Sequence, residues 1–103
     1  MKFKTKNLSN SKEIKREFLR ALFDDEGSII PRGNKAIIRL YSINKNGLRQ
    51  IQKILDLNLE NKLESGFGLK RNVYALVIKN IEDYNKLIGF SLKRKQEKLN
   101  KFA

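Results

Sequence analysis

The stretch Phe18-Leu19-Arg20-Ala21-Leu22-Phe23-Asp24-Asp25-Glu26-Gly27-Ser28 constrains this chain more than any other. An apolar run with helical spacing ends in three consecutive carboxylates, a glycine and a strand-like Ile29-Ile30. The C-terminal end of a helix carries a partial negative charge, so acidic side chains there cost about 0.3 kcal/mol or more each. Folding alone favours Lys or Arg in that last turn. Acid stacked at this end of a helix points to a cation expected beside it.

The helix bearing this run is expected from Lys12 to Asp25, with Asn10 and Glu13 as N-cap and capping box and Gly27 as the stop. At helical spacing Ile14, Phe18, Ala21 and Leu22 share one face, and Leu19 and Phe23 widen it. The apolar arc spans roughly 200°, about double what a one-sided surface helix needs. Such a helix is expected to be covered on two sides, by its own sheet and by something else.

The rest reads as alternating hairpins and helices. Ser28 to Arg32 and Lys35 to Ile43 form strands around a Gly33-Asn34 turn. Asn44-Lys45-Asn46-Gly47 breaks the chain before a helix from Leu48 to Leu57, with Leu48, Ile51, Ile54 and Leu55 inward. A second hairpin, Lys62 to Leu69 and Asn72 to Lys79, turns near Lys70-Arg71. Helices follow over Ile81 to Ile88 and, beyond Gly89, Ser91 to Phe102. The expected order is αββαββα plus a C-terminal helix, in one α+β domain over residues 1–103 with a four-stranded antiparallel sheet.

Charge narrows the partners. The chain has a formal net charge of +12 over 103 residues, which attracts phosphate backbones almost regardless of fold. No basic amphipathic helix stands alone at a terminus, which favours nucleic acid over a membrane surface. The sequence has no Cys and no His, which excludes thiol nucleophiles, Cys/His zinc sites and histidine general bases. No apolar run reaches transmembrane length, and Met1-Lys2-Phe3-Lys4 leads into polar residues, so an intracellular, cytoplasmic location is expected.

Alternation in the second strand separates Ala36, Ile38, Leu40 and Ser42, the natural core face, from Lys35, Ile37, Arg39 and Tyr41. Arg32, Lys62, Lys70, Arg71 and Lys79 add further charge to that open face and its turns. A basic antiparallel sheet can enter a major groove or follow a backbone. In the fourth strand Tyr74, Leu76 and Ile78 are expected inside, leaving Val73, Ala75 and Val77 exposed, as a surface touching bases would have them. Lys95, three residues after Leu92 and four before Leu99, falls on the apolar stripe of the last helix. Either its stem snorkels along the core or it is a fixed cation in a cleft, suited to a phosphate.

Taken together, these residues resemble the LAGLIDADG homing endonuclease family. Leu19 to Gly27 stands where the nine-residue motif would stand, and Ile88-Gly89-Phe90 with Lys95-Gln96-Glu97-Lys98-Leu99 is similar to the C-terminal signature. The resemblance implies that Glu26 and the backbone carbonyl of Asp25 hold Mg²⁺ or Mn²⁺, that Lys95 sits beside the scissile phosphate, and that Asn44 organises water. Arg32, Lys35, Ile37, Arg39, Tyr41, Val73 and Ala75 fall on strand positions that face DNA in the family, with Lys70 and Arg71 on the adjoining turn. Asp24 takes the place of a structural acid.

Arg20 and Ala21 replace the small Ala and Gly that let two motif helices approach. Ala21 is small enough to preserve that approach, and Arg20 falls on the polar side of the wheel. A working site in the family needs two motifs and this chain has one, so a homodimer paired through Phe18, Ala21 and Leu22 is implied. The expected activity is metal-dependent, staggered cleavage of double-stranded DNA leaving 3′ overhangs. The alternative is a catalytically inactive DNA- or RNA-binding module on the same fold, a maturase or regulator. The tight first hairpin implies a reduced DNA footprint.

Overall fold

The computed structural model describes residues 11–102. Its elements run α1 (Ser11–Glu26), β1 (Gly27–Arg32), β2 (Lys35–Ser42), α2 (Lys45–Ile54), β3 (Lys62–Phe67), β4 (Val73–Ile78), α3 (Ile81–Leu87) and α4 (Lys93–Asn100). The four strands form one antiparallel sheet in the order β1-β2-β4-β3. This is the expected α+β architecture, with the expected hairpins; the expected cap at Asn10 lies outside the described residues.

The core sits on one face of the sheet. Ile29 of β1, Ala36, Ile38 and Leu40 of β2, and Leu76 and Ile78 of β4 meet Leu19 and Phe23 of α1, Leu48 of α2, Tyr84 of α3 and Leu99 of α4. Strand alternation thus directs every second side chain into a layer of helices and leaves the other face open. Helix α1 splits its wide apolar arc accordingly. Leu19 and Phe23 are buried at 3% and 0% exposure, whereas Ile14 and Phe18 on the other side remain 51% and 53% exposed.

Two boundaries differ from expectation for local reasons. Helix α2 begins at Lys45 rather than Leu48, because Asn44 caps it: the Gly47 N–H donates to Asn44 Oδ1 at 3.0 Å. The residue that reads as a chain breaker is a helix starter. It ends at Ile54, where Leu55 turns extended, so Leu57 lies beyond the helix, fully exposed. Gly27 also acts differently from a left-handed stop. It is the first residue of β1, and a Cβ there would lie 2.7 Å from the Phe23 carbonyl oxygen and 2.9 Å from Phe23 Cδ1. The glycine is required by close approach, since helix passes into strand with no residue between them.

A bulge interrupts β3 between Glu64 and Phe67. Lys62 and Glu64 lie on the open face, and strict alternation would send Phe67 into the core. The extra residue reverses that parity, and Phe67 pairs with Val73 on the open face.

Candidate metal-ligand site and nucleic-acid interface

The foot of α1 is fixed by three polar attachments. Lys95 Nζ, brought in by α4, donates to the carbonyls of Phe23 (3.1 Å), Asp24 (2.5 Å) and Gly27 (2.8 Å). Asp24 Oδ1 accepts the N–H groups of Ser91 (2.8 Å) and Leu92 (3.2 Å), just before α4. Arg20 Nε donates to the Ile88 carbonyl at 2.9 Å, at the end of α3. Phe23 packs edge-on against Tyr84 at 5.3 Å, and the Tyr84 hydroxyl donates to the Gly89 carbonyl at 3.0 Å. Burial, reinforced by Asp24 and opposed by Arg20, drives the Tyr84 pKa far above the ordinary phenol value.

Lys95 places one of the protein's own cations beside the acidic turn. Its three donors meet main-chain oxygens at the negative end of the helix, where α1 has no basic residue in its last turn. Desolvation lowers the Lys95 pKa, Asp24 pulls it back up, Arg94 lowers it and Asp25 raises it. Three carbonyl acceptors favour the ammonium, so the group acts as a charged clamp. Lys95 is thus held on main-chain carbonyls rather than snorkelling to solvent, and these contacts do not themselves present it to a phosphate. Arg20, expected on the polar side of the helix, is half-buried and ties α1 to α3.

With Lys95 on carbonyls and Asp24 on the Ser91 and Leu92 N–H groups, the carboxylates of Asp25 and Glu26 are left open. Asp25 and Glu26 are exposed, and among the described residues none of the three acids forms an ion pair. Glu26 and the Asp25 carbonyl are hard oxygen donors of the kind that suit Mg²⁺ or Mn²⁺. One chain alone falls short of a full ligand set: among the described residues no group of three or more Asp, Glu, His or Cys converges. Asn44 lies past the end of β2, and Leu40 of that strand pairs with Gly27, so Asn44 and Glu26 share one end of the sheet. The Asn44 side-chain oxygen is engaged in capping α2.

The open face carries most of the expected contact residues. Arg32 and Lys35 are exposed beside the first turn, Ile37, Arg39 and Tyr41 are half-buried along β2, and Lys70 and Arg71 project from the second turn. Val73 is half-buried opposite Phe67. Ala75 and Val77 correct the reading: they are 0% and 1% exposed. Strand β4 is central, so Ala75 lies between Tyr41 and Glu64, and Val77 between Arg39 and Lys62. Both small side chains are thus flanked by longer ones on the two neighbouring strands, and are buried rather than exposed as expected. Phe67 is the open-face aromatic that the sequence reading did not single out; it packs edge-on against Tyr41. Its only signal is a lone aromatic between glycines, in Ser65-Gly66-Phe67-Gly68.

A four-stranded antiparallel sheet with helices on one face, a basic opposite face and acids at the foot of α1 is the α+β arrangement expected of a LAGLIDADG-type domain. The model of the LAGLIDADG-like domain matches residues 13–89, and the chain belongs to that family. Lys95 and α4, which clamp the motif helix, lie beyond the matched segment. No curated protein and no solved structure matches the chain. Among the described residues no helix is long and apolar enough to cross a membrane.

Proposed function

We propose that the chain is a site-specific DNA endonuclease that acts as a homodimer and makes metal-dependent staggered cuts. The observation that carries this reading is the form of α1. Its exposed stripe of Ile14, Phe18 and Ala21 runs down to an exposed Glu26, beside a sheet whose open face is basic. Two such stripes packed about a twofold axis bury their apolar surface and bring two Glu26 side chains together. Adjacent carboxylates cannot both stay ionised cheaply without a cation between or beside them.

Glu26 and the Asp25 carbonyl, one set from each copy, would hold Mg²⁺ or Mn²⁺. When bound, such an ion acidifies water and stabilises charge on a phosphodiester under attack. The protein's own residues do the rest. Lys95 holds the last turn of α1 so that Glu26 keeps one position relative to the sheet, and Asn44 borders the same end. The basic face of the sheet aligns the duplex and fixes which phosphodiester reaches the carboxylates.

Incubating a randomised duplex pool with protein and Mg²⁺, then sequencing new ends, tests this. Wild type should yield staggered ends sharing a pseudo-palindromic site, and Glu26→Gln should yield none while retaining DNA. Loss of DNA retention by Glu26→Gln would assign the residue to structure instead.

One observation favours a second reading, a DNA- or RNA-binding maturase or regulator without cleavage. The Lys95 ammonium has all three donors on carbonyls, which leaves it no free donor for a phosphate. Duplex retained without metal-dependent ends, in Mn²⁺ as in Mg²⁺, selects that reading.

A further inference from the structure

One basic side chain on the open face has its position set by protein neighbours rather than by solvent. Arg39 stands in mid-β2, paired with Ser28 on one side and Val77 on the other. Its Cζ lies 4.9 Å over the Phe67 ring, and its Nη1 donates to the Tyr41 hydroxyl at 3.2 Å. The Tyr41 and Phe67 rings meet edge-on at 5.5 Å, which closes the arrangement into a triangle. Arg39 Nε is buried with no partner among the described residues.

The guanidinium is thus covered on one face by a ring, sealed at its inner nitrogen and anchored at one terminal nitrogen. Among the described residues Nη2 makes no hydrogen bond and Arg39 makes no ion pair. The bulge between Glu64 and Phe67 is what delivers the ring to this face. A planar donor fork held in this way loses little further freedom when it binds. Arg32, exposed at the end of β1, has none of these contacts among the described residues.

We infer that Arg39 is a preorganised base-reading fork whose ligand is guanine, engaged through O6 and N7 in the major groove, once in each half-site. The inference rests on the DNA-binding reading above. Two terminal N–H groups in one plane match two neighbouring acceptors, which only guanine presents in the major groove; adenine places an N–H₂ donor where O6 would be. A phosphate contact needs charge but no orientation, and exposed Lys35 and Lys70 supply it nearby, with no ion pair among the described residues. The aromatic support would be superfluous for that role.

Duplexes selected from a randomised pool on the full chain in EDTA, then sequenced, test the fork. Wild type should enrich a site with guanine at one fixed position of each half. Arg39→Lys keeps the charge but not the fork, so guanine preference should fall about ten-fold at that position alone. Other positions and the dependence on salt should hold. Phe67→Leu and Tyr41→Phe should each give a smaller loss at the same position, and circular dichroism checks that each variant is folded. An unchanged motif in Arg39→Lys, or a loss of affinity uniform over all sequences, overturns the inference. Wild type that retains no duplex at all overturns the DNA-binding reading itself, a result distinguishable from either.

Discussion

Lys95 carries a charge into a half-buried position, which is tolerable only because the end of a helix offers what an ammonium needs. Unpaired carbonyls and the negative end of the α1 dipole converge on Nζ. Lys95→Met preserves the stem but strips three acceptors of their donor, and should lower stability by about 2 kcal/mol in urea unfolding. Wild-type stability in that variant would mean the contacts contribute nothing. Tyr84 makes a different demand. Its buried hydroxyl keeps its proton well above the pH at which the unfolded chain releases one, near pH 10. Stability from this group is complete below about pH 10 and declines as pH rises beyond it, because only the unfolded state then loses the proton. Tyr84→Phe should flatten that alkaline decline, and cost about 1 kcal/mol at neutral pH by leaving the Gly89 carbonyl unpaired. Thermal melts between pH 8 and 11 read both effects.

Among the elements, α1 makes the clearest statement, since half its apolar surface serves the core and half faces out. Phe18→Glu alters a 53% exposed side chain, so it should change the stability of the isolated protomer by no more than about 0.5 kcal/mol. Sedimentation should nonetheless show a monomer where wild type is a dimer; a monomeric wild type would reassign the stripe. This double-sided helix was legible from residue spacing, as were both hairpins, because periodicity and turn chemistry are local. What escaped reading was set by neighbours distant in the chain. Asn44 is equally at home ending or starting a helix, and only the Gly47 N–H settles which. Ala75 and Val77 alternate as exposed residues do, yet the central place of β4 flanks them with longer side chains. Phe67 changed faces through one bulged residue, invisible to a count of alternation. Lys95 was visible as a cation on the wrong stripe, but main-chain carbonyls carry no letter in a sequence. At the foot of α1 the order Asp24, Asp25, Glu26 was plain; that Asp24 would serve the loop before α4, leaving the other two free, was not.

For the whole molecule, charge and shape act together. The +12 net charge predicts that duplex affinity falls linearly on logarithmic axes with salt, and removing Lys35 or Lys62 should lessen the slope by about one each. Filter binding across a salt series measures this; an unchanged slope in both variants would place the duplex elsewhere. The direct passage from Glu26 to Gly27 has a larger consequence. With no linker between helix and strand, the acid and β1 belong to one stiff piece of backbone, clamped by Lys95 on both sides of the joint. One residue inserted there would turn every β1 side chain to the opposite face. On the endonuclease reading proposed above, the joint would serve as a ruler, holding Glu26 at a constant number of base steps from the letters the sheet reads.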